Sequence, residues 1–221
     1  MKAFAAAALL LAGPALADPL QDQVLAGMRR VDTSDVAFTA STRIQQSGKP
    51  AKEVVTRHDP RAPAGRRWSV VSVDGKPATP KEAAQIVKAA NGAPPPSYAR
   101  LARWFGSPAT RVAQAPGSVT YRFARLPAGI AKLGNRDMSA DTMAEATVDT
   151  SGRVPFVERI RFSSTKGFRM MLVAKVDRYV ATSTYAPLPD GRIFPAATQV
   201  EMVGSMMGKG GTLTTATRYA Q

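Results

Sequence analysis

Alternation with a period of two constrains this chain more than any other feature. Val119, Tyr121 and Phe123 alternate with Thr120 and Arg122, and Val36, Phe38, Ala40 and Ile44 alternate with Asp35, Thr39, Ser41 and Arg43. Val154, Phe156, Ile160 and Phe162 share one face against Arg153, Arg159 and Arg161; Phe168, Met170, Leu172, Ala174 and Val176 oppose Arg169, Lys175 and Asp177. Successive side chains of a strand point to opposite faces, so these runs predict sheet with one apolar and one wet side. Turn pairs separate them at Ser47-Gly48, Asp74-Gly75, Ser151-Gly152 and Asp190-Gly191, with a glycine-rich stretch from Gly208 to Gly211. Spacings this short predict antiparallel neighbours.

Helix signals are fewer. Asp18-Pro19-Leu20-Gln21 offers an N-cap, a proline at the first helical position and Gln at the third, before Leu20, Val24, Leu25, Met28 and Val31 at helical spacing. Thr79-Pro80-Lys81-Glu82 is a full capping box, leading Ala83, Ile86, Val87 and Ala90 along one face to a stop at Asn91-Gly92. Beyond Pro94-Pro95-Pro96, Ser97 is placed to cap a third helix bearing Tyr98, Leu101, Trp104 and Phe105, with Arg100 and Arg103 on its other side. That helix reads as a packed element, as a lid with its greasy side inward, or as a basic amphipathic helix on an anionic membrane. The expected fold is α+β: a single curved antiparallel sheet, an incomplete β-barrel, with two or three helices covering its concave apolar face.

The start of the chain, MKAFAAAALLLAGPALADPL, has a positive residue, an apolar run from Ala3 to Gly13 and a small-x-small site at Ala15-Leu16-Ala17. That order predicts a signal peptide over 1–17, cut after Ala17, and a periplasmic domain over 18–221. Cysteine is absent, so no disulfide braces the fold. Thirty Lys and Arg against 16 Asp and Glu give a formal net charge of +14. In an exported protein this charge favours encounter with anionic lipid or envelope polymer over nucleic acid.

The inventory for catalysis is poor. One histidine, His58, stands in VVTRHDPRAP beside Asp59, and no G-x-S-x-G elbow accompanies it. It reads as a solvated residue at a strand end. Asp137 and Asp141 sit four apart in NRDMSADTMAEA and read as loop residues ahead of the strand around Met143 to Val148. No cofactor or metal is expected, and no enzymatic activity, although a hydrolase built on His58 stays open.

Taken in order, these stretches resemble the periplasmic carriers of outer-membrane lipoproteins, the LolA/LolB-like fold. The helix from Pro19 to Val31 runs into SDVAFTASTRIQQSGK; EVVTRHDPRAPAGRRWSVVSVDGK resembles the family's strand, basic-proline bend, aromatic strand and Asp-Gly-Lys turn; VDTSGRVPFVERIRF and YVATSTYAPLPDGRIFP resemble its later hairpins. The bend is longer here, and the capped helix at Thr79 replaces a further aromatic strand. The resemblance implies a half-barrel whose cavity holds an acyl chain, from a lipid or a lipoprotein.

On that footing Phe38, Trp68, Phe123, Phe156, Phe162, Met170, Leu172 and Met202 are the expected cavity lining. Arg57 or Arg61, with Leu101, Trp104 and Phe105, would hold or form a lid. Five methionines (Met170, Met171, Met202, Met206 and Met207) fall in two short stretches. They suit either irregular gaps in a core or a lining that adapts to flexible chains. The competing expectation is an envelope module with a filled barrel that binds anionic polymers or a protein through its basic face.

Overall fold

The alternating runs become strands of one large sheet. A computed structural model of the chain describes residues 18–92, 94–133, 136–171 and 174–221. The signal-peptide expectation at 1–17 and the cavity residue Leu172 lie outside the described residues. The strands are β1 (Phe38–Gln46), β2 (Lys52–His58), β3 (Trp68–Val73), β4 (Thr110–Ala115), β5 (Ser118–Phe123), β6 (Lys132–Leu133), β7 (Arg136–Asp137), β8 (Thr142–Asp149), β9 (Phe156–Ser164), β10 (Phe168–Met171), β11 (Ala174–Pro187), β12 (Ile193–Met206) and β13 (Lys209–Ala220). Their order in the large sheet is β3-β2-β1-β13-β12-β11-β9-β8-β5-β4, with β10 also on β11 and β6-β7 forming a separate hairpin. Every pairing is antiparallel, and β3 and β4 remain as edges, so the sheet does not close into a barrel.

Two α-helices, α1 (Pro19–Arg30) and α2 (Pro80–Asn91), and a 3₁₀ helix at Tyr98–Arg103 accompany the sheet. Asp18 caps α1 by accepting the Leu20 and Gln21 N–H groups at 3.0 and 3.3 Å. Gln21 does not close a capping box. Its amide donates to the Phe105 and Ser107 carbonyls at 2.6 and 2.9 Å, tying α1 to the turn that follows the 3₁₀ helix. The capping box at Thr79 and Glu82 forms as expected. Yet α2 lies against the edge strand β3 and has no fully buried residue. Two of the four residues of its apolar stripe, Ala83 and Ala90, are alanine and offer little area to bury.

The third helix differs from expectation. It is 3₁₀, Ser97 makes no side-chain cap, and Trp104 and Phe105 follow it in a turn. Two strand readings are also corrected. Phe168 to Val176 is not one strand: β10 and β11 fold back on each other with Phe168 opposite Val176. In β9 the register shifts against β8 between Thr147 and Val148, so Val157 faces Val148 while Phe156 faces Asp149. Phe156 therefore leaves the face it shares with Ile160 in the simple alternation, and Val154 is exposed ahead of the strand. The Val157 N–H at this bulge donates to the Tyr98 hydroxyl at 2.8 Å, which satisfies a buried donor that would otherwise destabilise the site.

The registers place Val119, Tyr121, Phe123, Ala144, Ala146, Val148, Ile160 and Phe162 on one inner face, continued by Ala181, Ser183, Thr198 and Val200. At the far end Phe38 on β1 and Phe194 on β12 bring their rings to 5.5 Å although β13 lies between them. Two strand spacings span roughly 10 Å, so that end of the inner face is concave.

Candidate functional site

The inner face has a filled half and a half-open one. Over β5, β8 and β9, α1 contributes Val24 and Met28 and the 3₁₀ segment contributes Tyr98, Leu101, Trp104 and Phe105. Phe105, Phe123, Ala144, Ala146, Val148, Val157 and Ile160 have no exposed surface. The Trp104 ring meets Phe123 edge-on at 4.9 Å and Phe162 at 5.5 Å. Leu101, Trp104 and Phe105 are buried in this core, and Leu101 and Trp104 also border the open space beside it.

Beyond Phe162 the helical cover ends and a groove begins. One lobe, about 220 Å³, is lined by Ile130, Leu133, Met138, Phe162, Tyr179 and Val200, with Ala181, Ser183 and Thr198 on its floor. The other, about 290 Å³, runs under the 3₁₀ helix between Ser97, Arg100, Leu101, Arg103, Trp104 and Tyr185. Both lobes are lined by Ile130, Phe162, Ser183 and Thr198, so they meet along one path. Small-molecule sites occupy roughly 300–1,000 Å³, a range the two lobes reach together.

The floor is sheet and the outer wall is built from residues 127–133 and 136–138. A compact set of hydrogen bonds fixes that wall. The Ser139 hydroxyl accepts the Ile130 and Ala131 N–H groups at 3.0 and 2.9 Å and donates to Asp137 at 2.6 Å. Asp137 also accepts the Gly129 N–H at 2.8 Å, and the Ser139 hydroxyl bond first among these holds its carboxyl below the usual range. Asp141 pairs with Lys166 at 2.9 Å. Both aspartates are thus structural partners of a loop.

Past the groove, the inner face of β12, β13, β1 and β2 continues through Met202, Leu213, Thr215, Thr217, Thr42, Ile44 and Val54, all half-buried. Hydroxyls pair across strands: Thr42 with Thr217 at 3.0 Å and Ser183 with Thr198 at 3.3 Å. A paired hydroxyl needs less water, so its neighbouring methyl and methylene groups set the character of the surface. The floor is therefore partly apolar despite its threonine content.

An aromatic cluster closes the concave end. Phe38 stacks on His58 at 5.1 Å and meets Trp68 and Tyr219 edge-on at 5.5 and 5.7 Å. His58 is 4 % exposed, not solvated, and its Nδ1 has no hydrogen-bond partner. Burial lowers its pKa, against a raising contribution from its contact with the Val36 backbone. This imidazole faces aromatic rings.

The expected lining residues are dispersed. Phe162 lines both lobes of the groove, and Met202 lies on the open floor between Tyr179 and Leu213. Phe123 is in the filled core, while Phe38 and Trp68 belong to the aromatic cluster. Phe156 lines a separate hollow of about 260 Å³ with Val31 and Ile193. Met170 belongs to β10 by its backbone. Arg57 is exposed on β2, and Arg61 is exposed in the following loop, where its N–H donates to Asp59. Neither arginine lines the groove. The sequence reading omitted Ile130, Leu133, Met138, Tyr179 and Val200. Val200 and Tyr179 carried a readable signal in strand alternation; the loop residues carried none.

Met206 and Met207 close the β12–β13 hairpin and are exposed, with Met207 at φ +51° beside Gly208 at +79°. Two successive positive-φ residues form the tight turn that suits strand twist. Among the described residues no cluster of His, Asp and Glu is arranged to hold a metal ion, and no helix is long and apolar enough to cross a membrane. These features define an open antiparallel sheet carrying a partly apolar groove. No family model matches the chain, and no curated protein or solved structure matches it.

Proposed function

We propose that this protein binds an acyl or lipid chain non-covalently in the groove over β9, β11 and β12, as an exported component of the cell envelope. The observation that carries the reading is the abrupt end of helical cover at Phe162, next to a path lined by Ile130, Leu133, Met138 and Val200. The resemblance to the half-barrel of lipoprotein carriers points the same way. Each methylene moved from water into such a groove contributes about 0.8 kcal/mol. Met138 and Met202 offer unbranched side chains that repack around a variable chain at small cost.

A second reading has its own support. Arg122, Arg159 and Arg161 lie on the outer face of β5 and β9, where Arg122 pairs with Glu145 at 2.9 Å. This basic face suits an anionic polymer or an acidic protein partner.

The test is lipid extraction and mass spectrometry of the protein purified under mild conditions, alongside uptake of a fluorescent long-chain probe. The reading expects about one chain per protein and loss of uptake in Ser183→Trp, which fills the floor where the lobes meet. A folded wild-type protein that carries no lipid and takes up no probe overturns it.

A further inference from the structure

The two lobes of the groove differ in chemistry, and the difference specifies a ligand. The lobe at Leu133, Met138 and Val200 is walled mainly by carbon, with the single cation Lys132 among its lining residues. The lobe under the 3₁₀ helix has Arg100 and Arg103 at its rim, with Ser97, Ser183 and Thr198 nearby. In a 3₁₀ helix, positions i and i+3 eclipse, so Arg100 and Arg103 stand one above the other on the same side. Both are exposed, and neither has an ion-pair partner among the described residues. The charge of Arg100 is felt by the Tyr185 phenol, another wall of this lobe, where it opposes the upward shift that burial imposes.

We infer that the groove takes an amphiphile with an anionic head, a carboxylate or a phosphate ester, its chain toward Val200 and its head between Arg100 and Arg103. Two like charges held in register repel each other, and an oxyanion between them relieves that repulsion while accepting guanidinium hydrogen bonds. The inference rests on the groove binding an apolar chain. It adds the head-group chemistry and the direction in which the ligand lies.

The experiment measures displacement of an uncharged fluorescent long-chain probe by 1-dodecanol, dodecanoate and dodecyl phosphate at low ionic strength. All three share one chain length. At least one of the two anions is expected to bind about tenfold more tightly than the alcohol, as two partly exposed charge pairs would give. Raising the salt should shrink that margin. Arg100→Gln/Arg103→Gln should bring both anions down to the dodecanol affinity measured on the same variant; because both residues are exposed, circular dichroism should show the same fold. The better-bound anion distinguishes a carboxylate site from a phosphate site. Equal binding of anion and alcohol by the wild type overturns the head-group inference and leaves the groove reading standing. An anion preference that survives in the double variant overturns the assignment to these arginines. If none of the three ligands displaces the probe and the probe itself does not bind, the groove reading falls as well.

Discussion

The inner face of one sheet is finished in one half and unfinished in the other. Over β5, β8 and β9, two helical segments and large aromatic rings remove the side chains from water completely. Over β12, β13 and β1 the same face carries Thr42, Thr198, Val200, Met202 and Thr217, half-buried and roofed by none of the three core clusters. The helix with a capped start and an apolar stripe, α2, lies against the edge strand β3 instead. On the proposed reading, stability and binding are divided between regions. The filled half holds the sheet in shape, and the open half presents surface that a chain can still bury.

The division is sharpest under truncation. Phe105→Ala or Phe123→Ala should destabilise the protein by about 3–5 kcal/mol, because a closed core leaves the cavity behind. Val200→Ala on the groove floor should cost about 1 kcal/mol or less, since water already reaches the site. Urea unfolding with equal slopes measures both. Similar losses at the two sites would break the distinction.

Gly204→Ala tests how tightly the open half is built at its bulge. A Cβ there would meet the Lys175 carbonyl oxygen at 2.1 Å, across the β11–β12 pairing that shifts register between Val176 and Arg178. Backbone must move to admit it, at a cost of about 1–3 kcal/mol. Chain binding in the groove should survive if the variant folds, because Gly204 lines neither lobe.

A smaller effect belongs to Asp18, which joins α1 to the edge strand β4. Arg111 donates to its two carboxylate oxygens at 2.6 Å each, and this contact first, ahead of the backbone N–H bonds, holds its pKa at about 2. Because the folded pKa lies below the ordinary 3.8, the stabilisation is present above that value and fades as pH falls from 3.8 toward 2. Asp18→Asn, which keeps a capping oxygen but removes the partly exposed ion pair, should cost about 1 kcal/mol at neutral pH and should flatten the acid limb of a stability profile.

His58 should give the smallest signal and the opposite kind of titration. Its folded pKa is lowered by burial, so the unfolded chain takes up the proton first and stability falls as pH drops below 6.5. Chemical denaturation at pH 7.5 and 5.5 should show this loss in the wild type and a smaller one in His58→Phe. An equal loss in both would show that the imidazole is not held in its neutral form by the cluster.

Local signals in the sequence survived into the structure. The Thr79 capping box and the Asp18 cap depend on neighbours within four residues, and both form. So do the alternating strands β1 and β5. Tertiary events did not show. A bulge passes the inner-face place from Phe156 to Val157, and none of Val157, Glu158 and Arg159, where the register shifts, marks it. Between Met171 and Ala174, where β10 ends and β11 begins, the sequence has no glycine, proline or turn pair. His58 looked solvated because its company, Phe38 and Trp68, comes from two other strands. The groove wall at 127–133 and 136–138 reads as ordinary loop sequence, and its Ser139–Asp137 hydrogen bonds become meaningful only beside the sheet.

Backbone amide hydrogen exchange, with and without a saturating long-chain ligand, tests the central claim most directly. Added protection confined to β11, β12 and residues 127–133, with β5 and β8 unchanged, is the predicted result. Protection spread evenly over the sheet, or none at saturating ligand, would contradict an account in which the open half of the inner face is the binding surface.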